Sequence, residues 1–377
     1  MSQDLPLSGI RVFEFGGSVA GPFAAWILAE LGAEVTKIER PEGDDSRGWG
    51  PPFWKGGSMM FHAINRNKES VALDLKDPEV VADLYRQIVE EADVVVQNLR
   101  PGALAKLGLS AESLMAENPR LIYCNMWAFG AVGPLKHKPG YDALMQAFGG
   151  IMSVTGEEGR PPVRAGISVL DKGTGMWSAI GILAALYRRT FTGKGGLIDT
   201  SLFETALTWM TTQAADYQLT GNKPLRLGSG IRGIVPYQAY QCEDDYLIIA
   251  ASNDRLFAKL AGVLGHPEWA EDERFAVGSE RGARREELNA LIDEIVSKEP
   301  REHWQEKLDA VGVPSAPIQS INEILAHPQL AELGMLQDTG DPDLKLLGLP
   351  LSFDGERPPL RNICAPLDEA TSKAETS

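Results

Sequence analysis

Short apolar segments alternate with amphipathic helical patterns through the first half of the chain. Residues 10–15 form an apolar run that predicts a strand, Gly16-Gly17 predicts its turn, and residues 22–31 predict a helix that ends at Gly32. The pair Asp77-Pro78 predicts the start of another helix, with Asp as the N-cap and Pro in the first turn. Further apolar runs predict strands at residues 35–39, 71–75, 93–96, 121–124 and 197–201. Strands and helices in this alternation predict an α/β fold with a mostly parallel sheet.

The pattern changes in the second half. Residues 237–242 and 246–251 flank an acidic turn, Glu243-Asp244-Asp245, and predict a β-hairpin. Amphipathic helices are predicted after it, at residues 256–264, 285–296 and 301–311. We therefore predict a second, smaller α+β domain over residues 225–330, preceded by a glycine-rich linker.

The charge balance narrows the range of partners. The 377 residues include 36 Lys and Arg against 52 Asp and Glu, which gives a formal charge of −16, and 44% of the residues are apolar. The apolar content is typical of a folded protein. The acidic excess argues against nucleic acid or an anionic membrane as the main partner, since each requires a basic surface. A small anionic ligand is compatible with this charge if cations are gathered locally.

Neither a targeting signal nor a membrane-spanning segment is predicted. The N-terminal residues lack a basic segment followed by an apolar stretch, and the longest apolar stretch, residues 176–186, is shorter than the roughly 18–20 residues that cross a bilayer. The three cysteines, Cys124, Cys242 and Cys364, are far apart and form no CxxC pair, which fits a reducing compartment. We therefore expect a cytoplasmic protein.

Two glycine-rich segments are candidates for binding an anionic ligand. Residues 228–233 match GxGxxG, but Lys223-Pro224 precede them and Pro236 follows, so a flexible loop that could close over a site is the favoured interpretation. The turn at residues 16–21 lacks the fingerprint spacing, yet it lies between a predicted strand and a predicted helix, where an anion would meet the helix N-terminus. Arg40 follows the second predicted strand, where a guanidinium suits a ribose phosphate.

The segment from Val163 to Met176 carries the most informative candidate for covalent chemistry. It runs from apolar residues to Asp171, continues through Gly173 and Gly175, and opens a long apolar helix. Asp171 by itself would ordinarily be a helix N-cap or an Asx-turn residue. The functional alternative is a carboxylate held at a strand-to-helix turn, where glycines let a substrate approach and the carboxylate attacks an activated acyl group. The five histidines show neither HxxxH nor HExxH spacing, so no metal site is predicted.

Several short motifs follow one another over nearly the whole chain. They are Pro6-Leu7-Ser8-Gly9-Ile10-Arg11-Val12, Ala20-Gly21-Pro22, Leu31-Gly32-Ala33-Glu34-Val35, Lys37-Ile38-Glu39-Arg40-Pro41, Asn65-Arg66-Asn67-Lys68, Asn98 with Pro101-Gly102, Gly140-Tyr141-Asp142, Arg164-Ala165-Gly166, Asp171 with Gly175-Met176, and Thr192-Gly193-Lys194-Gly195. Their order and spacing resemble the class III coenzyme A transferase family of the CaiB/BaiF type, in particular its succinyl-CoA:dicarboxylate and formyl-CoA transferases. The family also includes the α-methylacyl-CoA racemases.

This resemblance implies a Rossmann-like large domain built from both chain ends, with residues 1–220 as its N-terminal part and residues 331–377 returning to it. It also implies two subunits interlocked as a homodimer. Coenzyme A and acyl-CoA would be substrates, with small carboxylic acids as acceptors and no tightly bound cofactor. Asp171 would attack a donor thioester, giving a mixed anhydride and then an aspartyl-CoA thioester from which the acceptor takes CoA. Backbone N–H groups near residues 173–175 are candidates for stabilising the oxyanion.

The resemblance also implies a set of residues that contact CoA, most of which follow predicted strands. Arg40 and Lys106 would face the CoA phosphates. Lys106 is often arginine in the family, and a lysine keeps the charge but loses the bidentate geometry. The full set is Val19, Ala20, Arg40, Leu73, Lys76, Asn98, Leu99, Lys106 and Tyr141.

Tyr141 separates two sister activities of the family. Racemases have a histidine at this position, and a tyrosine, whose pKa is ordinarily near 10, is a poor base at neutral pH, so transfer is favoured over racemisation. Residues 44–53 and 234–239 resemble the branch that uses dicarboxylates such as succinate and glutarate. Arg47 and Arg164 would then bind the distal carboxylate or form structural ion pairs.

Two alternatives to CoA transfer stay open from the sequence, an α-methylacyl-CoA racemase and a non-catalytic acyl-CoA-binding protein. An NADP-dependent reductase is disfavoured. Its fingerprint is missing from the early glycine turn, and the later match lacks the strand and helix that the fingerprint requires.

Overall fold

A computed structural model describes residues 5–367, so residues 368–377 of the predicted C-terminal segment lie outside the described residues. The strands within them are β1 (Arg11–Phe15), β2 (Glu34–Glu39), β3 (Phe53–Trp54), β4 (Gly57–Ser58), β5 (Lys68–Ala72), β6 (Val94–Gln97), β7 (Ile122–Trp127), β8 (Gly196–Ser201), β9 (Tyr237–Gln241), β10 (Tyr246–Ala250), β11 (Ser315–Pro317), β12 (Leu336–Asp341) and β13 (Leu344–Leu347). The α-helices are α1 (Ala20–Glu30), α2 (Met59–Asn65), α3 (Pro78–Glu91), α4 (Ala111–Glu117), α5 (Asp142–Phe148), α6 (Ile151–Val154), α7 (Val169–Thr192), α8 (Leu202–Trp209), α9 (Thr211–Thr220), α10 (Asp254–Val263), α11 (Gly278–Ala283), α12 (Arg285–Val296), α13 (Arg301–Val311), α14 (Ile321–Ala326) and α15 (Pro328–Glu332).

Six of these strands form one sheet in the order β5-β2-β1-β6-β7-β8. Every neighbouring pair in this sheet is parallel, which confirms the predicted α/β fold. From β1 the chain adds β2 and β5 on one side and later adds β6, β7 and β8 on the other. The strand order therefore reverses at β1, and ligands of open parallel sheets bind beside such a reversal, at the carboxyl ends of the strands.

The central strands are apolar on both faces because helices cover both faces of the sheet. Val94 and Val96 of β6 pack in a core that contains residues of α1 and α7, whereas Val95 between them packs in a core with residues of α3 and α4. Helix α1 is almost completely buried, and its small residues Ala24 and Ala25 are fully covered. Helices α1 and α7 thus lie close together on the same face of the sheet.

Most predicted elements of the sheet are confirmed with small shifts in their bounds. Helix α3 begins at Pro78, and the Asp77 side chain accepts the N–H of Glu79 as predicted. The strand predicted at residues 71–75 instead spans residues 68–72. The apolar pattern did not extend to Lys68 because lysine is polar. In the structure Lys68 is fully buried, and its ammonium lies 2.7 Å from Glu14 Oε2.

Two compact units are present within the described chain. The first comprises residues 5–151, Arg164–Gly221 and 328–367, and it contains the parallel sheet. The second comprises Met152–Val163 and Asn222–His327. It contains an antiparallel sheet in the order β11-β10-β9, which confirms the predicted hairpin, and the three helices predicted after it, α10, α12 and α13. The domain limits 1–220, 225–330 and 331–377 stay predictions.

Candidate active site

The residues expected to contact CoA lie at one edge of the parallel sheet. Val19 and Ala20 follow β1, Arg40 follows β2, Leu73 and Lys76 follow β5, and Asn98 and Leu99 follow β6. Strands β5, β2, β1 and β6 are consecutive neighbours in the sheet, so their carboxyl ends form one continuous edge. Lys106 lies beyond β6 in a 3₁₀ turn, Ala105–Leu107.

The turn between β1 and α1 is fixed by side chains from three other segments. Asn98 exchanges two hydrogen bonds with Gly17, accepting its N–H at 2.9 Å and donating to its carbonyl at 2.9 Å. Asp44 accepts the N–H of Ser18 at 3.2 Å, where the backbone φ of Ser18 is +65°. The buried ammonium of Lys37 donates to the Gly16 carbonyl at 2.7 Å. The turn therefore has a defined shape at the point where an anion would meet α1.

Val19 and Ala20 are almost completely covered. Each residue, backbone included, is only 3% exposed. The first N–H groups of α1 lack intrahelical acceptors by the geometry of a helix and carry the positive end of its dipole. These two residues therefore expose little surface to a ligand, and their contact with CoA stays a prediction.

The three predicted cations at this edge differ in their environment. Lys76 and Lys106 are exposed. The Arg40 guanidinium pairs with Asp45, lies 3.9 Å from Glu42 and donates to the Gly43 carbonyl at 2.9 Å. A phosphate bound by Arg40 would therefore compete with carboxylates of its own loop.

Asp171 lies in the first turn of α7, and its surroundings differ from the predicted strand-to-helix turn. The helix begins at Val169, and the segment before it, from Arg164 to Ser168, is not a strand. The N-cap, Ser168, makes no side-chain hydrogen bond to the helix. Asp171 is therefore neither an N-cap nor a turn residue, and the prediction that it lies at a strand-to-helix turn is wrong.

The capping group of α7 comes from a distant helix. Asp142, at the start of α5, accepts the N–H of Leu170 at 2.7 Å and the N–H of Asp171 at 3.1 Å with the same oxygen, Oδ1. Burial raises the pKa of Asp171 to about 7, and the nearby negative charge of Asp142 adds to the increase. At neutral pH Asp171 is thus about half ionised, and its carboxylate is poorly solvated and lies near the negative charge of Asp142.

The two glycines after Asp171 serve close helix packing. A Cβ added at Gly175 would lie 3.0 Å from the Ala20 carbonyl oxygen and 3.1 Å from the Ala24 nitrogen of α1. A Cβ at Gly173 would lie 2.9 Å from Thr205 of α8. Both glycines are inside α7, where backbone N–H groups bond within the helix, so the expected oxyanion donors near residues 173–175 are wrong. The close approach at Gly175 places the second turn of α7, one turn after Asp171, beside the start of α1.

The structure separates the two arginines that were candidates for binding a carboxylate. Arg47 is buried and makes a bidentate pair with Glu39, at 2.8 Å and 2.7 Å, with further contacts to Ser70 and the Ala365 carbonyl. It is a structural ion pair. Arg164 is exposed, and its guanidinium donates to the Ala165 carbonyl at 3.1 Å.

Tyr141 immediately precedes α5 and is 67% exposed. Its neighbour Asp142 and the buried Gln146 one turn later are functional candidates as well. The sequence interpretation assigned neither residue a role of its own. The signal was present, since Asp142 stands in the Gly140-Tyr141-Asp142 motif, but no local pattern indicates that its carboxylate reaches α7.

The glycine-rich segment at residues 228–233 is a loop, as predicted. Among the described residues, no strand directly precedes this loop and no helix directly follows it, so it lacks the setting of a dinucleotide fingerprint. Ser229 Oγ accepts the N–H of Ala239 at 2.9 Å, and the Arg285 guanidinium donates to the carbonyls of Ile231 and Ile234.

Residues 5–367 contain neither a cluster of metal-ligating side chains nor a membrane-spanning helix. No group of three or more His, Cys, Asp or Glu side chains is placed to hold a metal ion. Among the helices of this part of the chain, none has both the length and the apolar composition to cross a bilayer.

The chain is similar to known proteins over nearly its whole length. The profile of CoA-transferase family III matches residues 7–369. Succinate–glutarate CoA-transferase of Agrobacterium fabrum is 40% identical over 88% of this chain and 85% of its own length. Acetyl-CoA:oxalate CoA-transferase of Acetobacter aceti is 38% identical over 97% of this chain and 93% of its own length. A crystal structure of a CaiB/BaiF family protein from Brucella suis is 40% identical and superimposes with a TM-score of 0.89, covering 100% of both chains.

The chain therefore belongs to CoA-transferase family III, and the resemblance inferred from its motifs is confirmed. It is an enzyme of the class III CoA-transferase type, a family whose members use CoA thioesters as substrates.

Proposed function

We propose that this enzyme moves coenzyme A from an acyl-CoA donor to a dicarboxylate acceptor through a CoA thioester of Asp171. The observation that carries the proposal is the position of Asp171, a desolvated carboxylate in the first turn of α7, one turn before the close approach of Gly175 to the start of α1. The strand ends where CoA is expected lie at the same end of α1. A nucleophile and a CoA-binding edge in one unit are what the reaction requires.

The first half-reaction transfers CoA to the enzyme. An oxygen of the Asp171 carboxylate attacks the thioester carbonyl carbon of the donor, the C–S bond breaks, and CoA thiolate leaves with the electron pair. The thiolate then attacks Cγ of Asp171 in the mixed anhydride. The donor acid leaves as its carboxylate and carries away one oxygen that belonged to Asp171, so no proton, metal or nucleotide is consumed.

The second half-reaction is the reverse with a new acid. The acceptor carboxylate attacks Cγ of the Asp171 thioester and releases CoA thiolate, which then attacks the acyl carbon of the acceptor. Asp171 is regenerated as a carboxylate that has gained one oxygen from the acceptor. Because one thioester replaces another, the overall exchange is close to isoenergetic.

The nucleophile gains from its poor solvation. A carboxylate in water is a weak nucleophile because its hydration shell must be removed before it attacks. Burial and the charge of Asp142 leave Asp171 less stabilised as an anion, which raises its basicity while it is still half-ionised near pH 7. Arg40, Lys76 and Lys106 would bind the CoA phosphates at the strand edge and hold the thioester in place.

A dicarboxylate acceptor is supported by the relatives and by one exposed cation. The proteins named above act, by their names, on succinate, glutarate and oxalate, which are all dicarboxylates. Arg164 precedes α7 in the segment that leads to Asp171 and is exposed, whereas Arg47 is already paired with Glu39. We assign Arg164 to the distal carboxylate of the acceptor.

We further propose that the enzyme is an interlocked homodimer in the cytoplasm. Helix α7 buries one face in the core, yet its opposite face carries large apolar residues at helical spacing. Met176, Ile180, Tyr187 and Phe191 are all about half exposed or more, with Tyr187 at 68% and Phe191 at 72%. A second copy of the chain would cover this stripe, and the molecular mass from sedimentation at micromolar concentration would show it.

Oxygen labelling tests the covalent mechanism directly. Turnover with succinyl-CoA and ¹⁸O-labelled glutarate should place one ¹⁸O in Asp171 per cycle, located by peptide mass spectrometry. Acid quenching after incubation with succinyl-CoA alone should reveal CoA bound to Asp171, and Asp171→Asn should show neither result while still binding CoA.

The alternatives give different results in the same experiment. A racemase would exchange the α-hydrogen of its acyl group with solvent deuterium and leave Asp171 unlabelled, and a non-catalytic binder would show neither exchange nor label. Either result would overturn the proposed function.

A further inference from the structure

Gln146 is a fully buried amide in α5, and both ends of its side chain are engaged. Its Nε2 donates to Asp142 Oδ2 at 2.5 Å, and its Oε1 accepts the N–H of Ala165 at 2.9 Å. The same side chain thus contacts the start of its own helix and the segment that leads into α7.

Asp142 extends this contact to the nucleophile. Its second oxygen, Oδ1, accepts the N–H of Leu170 at 2.7 Å and that of Asp171 at 3.1 Å. A continuous hydrogen-bond path therefore runs from Ala165 through Gln146 and Asp142 to the backbone of Asp171. Each donor along it meets an acceptor.

We propose that Gln146 is a positioning residue of the active site, which directs the Asp142 carboxylate onto the first turn of α7 and fixes the Arg164-Ala165 segment relative to the nucleophile. This inference rests on the proposed role of Asp171 as the nucleophile. Gln146 itself touches neither the reacting atoms nor, in this arrangement, the substrate.

An amide satisfies both neighbours of this position without taking up a proton. A carboxylate at residue 146 would accept from Ala165 but repel Asp142 Oδ2. An apolar side chain would leave a buried N–H and a buried carboxylate oxygen without partners, which is more damaging than losing both partners together. The orientation of the amide is fixed as well, because the flipped form would set its NH₂ against the Ala165 N–H and its oxygen against a carboxylate.

The path also fixes where negative charge lies relative to Asp171. Among residues 5–367, Asp142 is the only charged group that contributes to the raised pKa of Asp171, besides burial. One turn further along α7, the nearest atoms to Gly173 and Gly175 belong to uncharged residues, Thr205 and Trp209 of α8 and Phe23 and Ala24 of α1. Lys172, on α7 itself, points its ammonium over the ring of Phe23 at 5.9 Å.

Exchanging the carboxylate of residue 142 and the amide of residue 146 tests whether Gln146 positions the active site or only fills space. In Asp142→Asn the new NH₂ would oppose the NH₂ of Gln146, and flipping either amide only moves the conflict to another N–H. In Gln146→Glu two carboxylates would face each other. The double variant Asp142→Asn/Gln146→Glu restores every donor–acceptor pair, because the new carboxylate at position 146 accepts both from the new amide at position 142 and from the Ala165 N–H. It also moves the negative charge one step away from Asp171.

We expect each single variant to lose about 10- to 100-fold in kcat, with the KM for acyl-CoA changed less than about twofold, since a displaced nucleophile slows chemistry without weakening CoA binding. The double variant should recover to within about threefold of the wild type. Its pH–rate profile should have its acidic midpoint below the value near 7 expected of the wild type, because the charge that raises the pKa of Asp171 has moved away.

Gln218→Glu, on the exposed surface of α9, controls for the addition of a carboxylate. Two results would overturn the positioning role. One is a double variant whose loss in kcat is the product of the two single losses, and the other is a double variant that recovers kcat but keeps the acidic midpoint of the wild-type pH–rate profile. Wild-type enzyme is assayed for ¹⁸O incorporation in parallel. A wild type that fails to label Asp171 overturns the proposed function, whereas labelled wild type without rescue overturns only the role of Gln146.

Discussion

Replacing Asp171, the proposed nucleophile, should make the protein more stable at neutral and alkaline pH. Asp171 is a carboxylate in a buried site beside the Asp142 carboxylate, and Asp171→Asn removes its charge with little change in shape. An ionised Asp171 costs folding free energy because it is better solvated in the unfolded chain. The variant avoids this cost while losing the reaction.

The size of the effect follows from the pKa of Asp171. Its value rises from 3.8 to about 7 in the folded protein. A difference of about three pH units corresponds to roughly 4 kcal/mol, which is a ceiling because the side chain keeps some contact with solvent. Since the folded state holds the proton more tightly, wild-type stability is fully present below pH 4 and decreases up to pH 7. The gap between Asp171→Asn and wild type should therefore be near zero at pH 4 and reach a few kcal/mol at pH 8.

Denaturant unfolding measures this gap at pH 4, 5, 6, 7 and 8. Protein concentration is held constant because an oligomer unfolds in a concentration-dependent way. Asp309→Asn, which neutralises an exposed aspartate of α13, controls for the change in net charge and should leave the gap near zero at every pH. A gap for Asp171→Asn that is independent of pH, or that is absent at pH 8, would refute the argument that Asp171 is an unfavourably buried anion.

Two further predictions concern Arg164, Arg47 and Gly175. Arg164→Met should raise the KM for a dicarboxylate acceptor at least about tenfold, with little effect on a monocarboxylate and on stability. Arg47→Met should lower the free energy of unfolding by about 3–5 kcal/mol, because it removes the ion-pair partner of the buried Glu39 carboxylate. Steady-state kinetics and denaturant unfolding check the pair, and equal kinetic effects of both would contradict the assignment. Gly175→Ala should destabilise by about 1–3 kcal/mol because its Cβ would meet backbone atoms of α1, whereas Gly181→Ala in the same helix meets only the Ile198 side chain and should be neutral or slightly stabilising by thermal unfolding. Equal destabilisation by both would show that the close approach at Gly175 is unimportant.

The local sequence pattern correctly predicted those helices and strands whose stabilising contacts are made by residues close together in the chain. The helix start at Asp77-Pro78 is confirmed because the N-cap bond is made within one turn of the chain. The hairpin of β9 and β10 is confirmed for the same reason. The strand β5 was displaced in the prediction because Lys68 and Ser70 are polar, and only their burial with Glu14 and Glu39 makes them suitable for a sheet.

The individual residues of the candidate site could be named from the sequence, but the contacts between distant residues could not. Asp171 and the residues after β1, β2, β5 and β6 could be named from motifs of the family. The group that caps the start of α7 could not be predicted, because the N–H groups of Leu170 and Asp171 bond to Asp142, which lies 29 residues before Asp171. Arg47 was equally open to two roles until Glu39 was found in bidentate contact with it.

The sequence by itself determined the order of strands and helices, the family, and the identity of the candidate nucleophile, since periodicity and motif spacing are local properties of the chain. The tertiary structure alone decided which charges meet. It brought Asp142 onto the start of α7 and Gln146 against Asp142 and Ala165, paired Arg47 with Glu39, and left Arg164 exposed. The reason is physical: burial and the distance between charges set a pKa and an ion pair, and both depend on which distant segments the packed sheet and helices bring into contact.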